Sequence, residues 1–467
     1  MTRIISTSYS RNIRDVLRVN IDKKYRGCEF IMNRAAYHRI MIFILYFAIT
    51  CCLIFIAYNL VLDYNHVPVY VVEQYNSKKS IVLWSPIPDF ERTMVDRYKR
   101  IFNAENITVV NVAPDEIMTK LRVFIATAAD IPDIVAINRS HVNNDEAAYM
   151  FEDLSAPPYS LETDIYLDCL CKEITTGDGR VVGVPMSPAP LALAYRRDLA
   201  NRFIGTDKPE ELYPLIQDWE DFVSVAKTVK ERSEGKVYCF ASLDRLWDVR
   251  YAQNARPIVK GKKIAFTENY LNDVAFIKMM YDEGLILGVR SNTQKEKESY
   301  RDGSVIFFPL YPWEVKVNIN DFDRRITSRW NLVQLPGKQC TLDCIMYCIP
   351  RDSENKSGAW KYLKWAYASP QGNEFMVRDT QTIPALKGFY TGEYDVPKSE
   401  ITGTDIMDFW TPLVNRAMER ERPQLDKTMD RLIKHELENM IRNGTKPEDA
   451  CRNIEHKIKE YFGDLEI

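Results

Sequence analysis

The chain has 467 residues, of which 46% are hydrophobic and 12% aromatic, enough to build sizeable cores and too much for a disordered segment. Its 65 acidic and 62 basic residues leave a formal charge of −3, so no basic field exists to hold nucleic acid.

Residues 1–39 form a basic tail, with Arg3, Arg11, Arg14, Arg18, Lys23, Lys24, Arg26, Arg34 and Arg39 against Asp15, Asp22 and Glu29. The run Ile40–Leu62 that follows has no charge, and at ~1.5 Å per residue it is long enough for a ~30 Å hydrocarbon core. It predicts one transmembrane helix as a signal anchor in the cell membrane, with the tail inside by the positive-inside rule and the large domain extracytoplasmic. The rival reading is a cleaved leader starting near Met32 and ending at a lipid-modified Cys51. Residues 63–78 read as a stalk.

From residue 79 the pattern alternates. Strand SIVLWS precedes a helix over FERTMVDRYKRIFNAE, whose Met94, Val95, Tyr98 and Phe102 share one stripe. Strand NITVVNV, helix DEIMTKLRVFIATA and strand PDIVAI follow, an order that argues for a helix-covered parallel or mixed sheet. After the polar loop TTGDGR come the strand VVGVPM and the segment PAPLALAYRRDL. Asp218 then caps a helix over WEDFVSVAKTVKER. Further on, Tyr270–Glu283 reads as a helix and GSVIFFPL as a buried strand. SGAWKYLKWAYAS is a helix closed by Ser369-Pro370, which also opens the next one. The C-terminus is helical from Gln424 to Arg442, turns at Asn443-Gly444, and continues from a capping box of Thr445 and Glu448.

Seven cysteines follow the apolar run: Cys169, Cys171, Cys239, Cys340, Cys344, Cys348 and Cys451. The spacing of Cys340, Cys344 and Cys348 would align thiols on a helix as for a metal, but the context TLDCIMYCIP is strand-like and reads as buried thiols, so no metal site is expected. Of five histidines only His141 lies among the core motifs, and H-E-x-x-H, G-x-S-x-G and phosphate-loop patterns are lacking. No catalytic residue and no cofactor is therefore assigned.

Six segments, in order, resemble the extracellular solute-binding proteins of ABC importers, in particular their sugar-binding group. They are IVLWSPIPDFERTMVDRYKRIFN, IATAADIPDIVAIN, GDGRVVGVPMSPAPLALAYRRDL, DWEDFVSVAKTVK, RDGSVIFFPLYPWEV and SGAWKYLKWAYASPQGNEFMVRDTQTIPAL. The resemblance implies an α/β, two-lobed periplasmic-binding-protein-like fold over 79–467 with an interlobe hinge, here preceded by the transmembrane helix. Crossings would fall near Met186–Leu193, Gly303–Pro309 and Asp343–Ile349. Lobe one would combine about 79–188 with 305–342, and lobe two about 193–304 with 343–467.

What the resemblance implies for function is capture of a carbohydrate between the lobes for ABC-type import, with permease subunits as partners and no turnover. A ligand sensor feeding a signalling receptor and an anchored carbohydrate-active enzyme are the alternatives. Sugar rings stack their C–H faces on aromatics while polar groups take the hydroxyls. The resemblance places Trp84, Trp247, Trp313 and Trp410 at the cleft. Asp89, Asn138, Arg139, Tyr311, Glu314 and Gln381 are the polar candidates. The chain departs from the family pattern at Ala189, where an acidic residue is usual, and at Tyr311, where a glycine precedes Pro-Trp.

Overall fold

The computed structural model describes residues 80–467, except 104–105, 143–144, 317–318, 320–328, 342–343, 404 and 419–424. The first layer begins with β1 (Ile81–Ser85), α1 (Pro88–Phe102), β2 (Ile107–Asn111), α2 (Ile117–Ala126) and β3 (Ile134–Asn138). β1 is parallel to both β2 and β3, and the sheet is completed antiparallel by Ile345–Cys348 and then by β4 (Val184–Pro185). Apolar spacing explains why α1 lies on this sheet: Met94, Val95 and Tyr98 are buried. Phe102 ends the stripe half exposed, at 50%.

The second lobe is built on β5 (Ala192–Arg196). Helix α3 (Trp219–Arg232) starts where expected, with the Asp218 carboxylate accepting from the N–H groups of Glu220 and Asp221 at 2.9 Å. There follow β6 (Phe240–Ser242), α4 (Leu243–Asn254), α5 (Phe266–Asp282), β7 (Ile286–Val289), α6 (Gln294–Asp302), β8 (Phe307–Leu310) and β9 (Trp330–Val333). β8 and β9 flank β5 antiparallel, and β6 is parallel to β7. The N–H groups of Ile306 and Phe307 donate to the carbonyls of Tyr238 and Cys239 at 3.0 Å, joining the two groups of strands into one layer.

Two of the chain crossings that connect the layers are neighbours. The segment after β4 runs to β5, and the segment after β9 returns to β10 (Ile345–Cys348). They lie side by side, with Leu191 N–H on the Cys340 carbonyl at 3.1 Å and Met186 N–H on that of Ile345 at 2.9 Å. Two stretches thus sit elsewhere than the sequence reading places them. Residues Phe307–Leu310 and Trp330–Val333 pair with β5, and Ile345–Cys348 joins the sheet of β1. Short, fully buried strands carry no alternation to say which sheet they enter.

Helices toward the C-terminus include α7 (Lys356–Ala368), α8 (Pro370–Thr380), α9 (Ile406–Met418), α10 (Lys427–Asn443) and α11 (Pro447–Tyr461). Ser369 caps α8, accepting from Gly372 N–H at 3.1 Å. The capping box expected at Thr445 does not form. Lys446 takes the cap position and Pro447 opens the helix, since its fixed φ and missing N–H suit the first turn. Helices α10 and α11 pack on the second lobe, where Ile433, Leu437, Met440, Ile454 and Ile458 join a core that includes Trp247, Phe266 and Tyr270.

The membrane span requires a correction. Ile40–Leu62 lies outside the described residues, and no helix among the described residues is long and apolar enough to cross a membrane. Among the described residues the architecture is the two-lobed fold, with no membrane helix. The anchor and the single-pass location at the cell membrane drop out of the functional reading.

Candidate functional site

A cavity of about 420 Å³ lies between the lobes. The first lobe lines it with loops that leave the carboxyl ends of its parallel strands, as open α/β sheets do. These loops supply Pro86–Phe90 after β1, Pro114 after β2 and Asn138 at the end of β3. The second lobe supplies Asp248 and Tyr251 from α4, Asn292 from the loop before α6, and Tyr311, Trp313 and Glu314 after β8. The opening turns of α10 add Lys427, Asp430 and Lys434.

Tyr311 and Trp313 form a stacked pair, their ring centroids 4.7 Å apart and the planes within 7°. Pro312 between them forces the turn that brings both rings to one side. Glu314 fixes the turn by accepting from Tyr311 N–H at 3.0 Å. Behind it, Arg245 donates to Glu314 Oε1 and to Glu296 Oε1, each at 3.0 Å, and to Asn292 Oδ1 at 3.2 Å. Its guanidinium lies 4.3 Å from the centre of the Phe308 ring. Burial alone would weaken the charge on Arg245, but Glu314 and Glu296 outweigh it and hold the guanidinium protonated. Burial pushes the Glu296 carboxyl up, with Arg245 opposing. Aromatic pair and ionic support form one rigid wall.

The opposite part of that wall holds a carboxylate–ammonium–carboxylate row. Lys434 Nζ stands 2.7 Å from Asp248 Oδ1 and 2.9 Å from Asp430 Oδ2. Burial pushes the Asp248 carboxyl upward, with Lys434 pulling it down and Asp430 adding to the rise. Two carboxylates sharing one cation in a cleft present acceptors beside a donor, which suits vicinal hydroxyl groups.

Of the residues selected from sequence, Asp89, Asn138, Tyr311, Trp313 and Glu314 come together on this cavity. The others lie elsewhere. Trp84 is 2% exposed, edge-on to Phe124 at 5.0 Å. Trp247 is fully buried among Tyr251, Phe266 and Tyr270, and reaches the site only through its Nε1–H, which donates to Asp430 Oδ1 at 3.3 Å. Trp410 is buried against Phe409. Gln381 is buried, accepting from Glu400 N–H at 2.9 Å. Arg139 sits in the short helical turn Arg139–Val142, off the cavity wall. Sequence reasoning missed Asp248, Tyr251, Asn292, Lys427, Asp430 and Lys434. A usable signal was the spacing of Asp430 and Lys434, one turn apart behind the cap Asp426.

A family model described as bacterial extracellular solute-binding protein matches residues 93–400. The chain belongs to that family. Membership implies a transport role without catalysis, so the anchored-enzyme alternative falls.

Among solved structures, the chain is similar to the GacH receptor of Streptomyces glaucescens, studied unliganded and with acarbose. The TM-score is 0.67 at 16% identity, over 83% of this chain and 99% of that one. It is similar also to an ABC transporter associated binding protein from B. animalis subsp. lactis in complex with β-1,6-galactobiose, with TM-score 0.68, 13% identity and coverage of 82% and 98%. A third is the galacto-N-biose-/lacto-N-biose I-binding protein of Bifidobacterium longum, with TM-score 0.64, 15% identity and coverage of 83% and 99%. At these identities the likeness establishes the two-lobed fold of this solute-binding protein. No curated protein sequence matches the chain.

Proposed function

We propose that this solute-binding protein captures a carbohydrate in the cleft between its lobes and presents it to the permease of an ABC importer. The observation that carries the reading is the stacked Tyr311–Trp313 pair on the cavity wall, beside the row of Asp248, Lys434 and Asp430. A flat aromatic face beside fixed acceptors and donors complements a pyranose, which is apolar on its ring faces and polar at its rim. Asp89 and Asn138 from the first lobe would close on the same ring from the other side. The saccharide ligands of the related structures support the class, and the family's role supports the permease partner.

The test is a thermal-shift and calorimetric panel on the purified chain, covering mono- and oligosaccharides of glucose and galactose together with polyamines and phosphate. A saccharide should bind, and Trp313→Ala should weaken it by roughly three- to tenfold, the measure of one stacking contact, without a large fall in melting temperature. Binding of a polyamine or phosphate with no response to saccharides would refute the carbohydrate reading.

A further inference from the structure

The cavity does not end at Lys434. A second, larger space of about 1000 Å³ begins there, and Pro114, Lys427, Asp430 and Lys434 line both. Its far wall comes from the C-terminal helix α11, whose Tyr461 is 60% exposed on the chamber, and from the loop after β7, which carries Arg290. Arg290 is held in place by Glu438, with Nη2 donating to Oε2 at 2.6 Å.

Resting on the carbohydrate reading above, we infer that the second chamber is a further saccharide subsite, so that the ligand is an oligosaccharide chain running past Lys434. Three observations carry this. The first cavity is near the small end of the ~300–1000 Å³ range of ligand sites and suits one or two rings, whereas the two together hold a chain. Each chamber has its own aromatic face: Trp313 with Tyr311 in the first, Tyr461 in the second. Carboxylates and cations on the second chamber's wall are equal in number, which selects a neutral hydroxyl-rich extension over an anionic or cationic one.

The experiment titrates the full chain with homologous glucose and galactose oligomers, from disaccharide to hexasaccharide, by calorimetry. In the series that binds, affinity should rise about tenfold or more from disaccharide to tetrasaccharide. Tyr461→Ala should remove about three- to tenfold of that gain and leave disaccharide affinity unchanged. Tyr461 is exposed, so the fold should survive its truncation. Arg290→Ala should act in the same direction. Affinity that is flat with chain length, or a length gain indifferent to both variants, overturns the second subsite while leaving carbohydrate capture intact. Failure of every saccharide to bind removes both.

Discussion

Glu91 offers a quantitative test of how the first lobe holds its binding loop. It lies in the first turn of α1, fully buried, directly after the cavity-lining segment Pro86–Phe90. Its Oε1 accepts from Ser85 Oγ at 2.9 Å and Tyr347 Oη at 2.7 Å, and its Oε2 from Tyr367 Oη at 3.1 Å. Tyr362 is a further titratable neighbour. Burial pushes the carboxyl up to about 7 from its usual 4.5, against the hydroxyls of Tyr347, Ser85 and Tyr367, which pull it down. At about 1.4 kcal/mol per pH unit, that displacement corresponds to about 3 kcal/mol. The folded state holds the proton more tightly than the unfolded chain. The stabilising contribution is therefore complete below pH 4.5 and is lost as pH rises through about 7. Glu91→Gln cannot ionise. It should match the wild type near pH 4.5 and exceed it by up to about 3 kcal/mol at pH 8, less whatever the exchange of one acceptor oxygen for an amide removes. Denaturant unfolding followed by circular dichroism at pH 4.5, 6 and 8 measures the gap. A gap that does not change with pH would refute the reasoning, because the group that should titrate would then not be doing so.

Three further outcomes are expected. Arg245→Met leaves Glu296 and Glu314 buried without their cation and should lower the unfolding free energy by about 3–5 kcal/mol in the same assay. Trp247→Ala empties a fully buried site in the second lobe; it should cost about 3–5 kcal/mol of stability, and normal melting of that variant would contradict its place in the core. Lys434→Met removes the cation between Asp248 and Asp430, so the Asp248 carboxyl, already pushed up by burial, should rise further. Its melting deficit should be small at pH 5 and larger at pH 8, and an equal deficit at both would exclude a neutralising role for the lysine.

The alternation of elements from Ile81 to Asn138 was legible because each helix carries a stripe at helical spacing and each strand a short apolar run. Met94, Val95 and Tyr98 obey that rule in the structure. Lobe membership was harder to read. Phe307–Leu310 is apolar on both faces, and nothing in such a strand tells which sheet it will join. Among tryptophans the ambiguity is chemical. Trp247, Trp410 and Trp313 are all mostly hidden from solvent, and the same large ring serves a core or a ligand face equally well. What separates Trp313 is the turn enforced by Pro312 and pinned by Glu314, a tertiary feature. Asp248 and Lys434 escaped notice because a carboxylate and a lysine on amphipathic helices ordinarily mark a solvated face. Only the packing of α10 beside α4 brings them within 2.7 Å.

Among the eight tryptophans only Trp313 lines the first cavity; Trp84, Trp247, Trp330, Trp365 and Trp410 are buried in the lobes, and Trp219 and Trp360 are partly buried away from it. The protein therefore carries its own optical probe. Light absorbed at the red edge of the indole band excites every tryptophan, but a bound ligand directly changes the surroundings of Trp313 alone, with Trp247 touched through Asp430 and the rest a fixed background. The difference spectrum on adding ligand should thus come mainly from Trp313, and in Trp313→Phe should shrink to the part relayed to Trp247 through Asp430 even where binding persists.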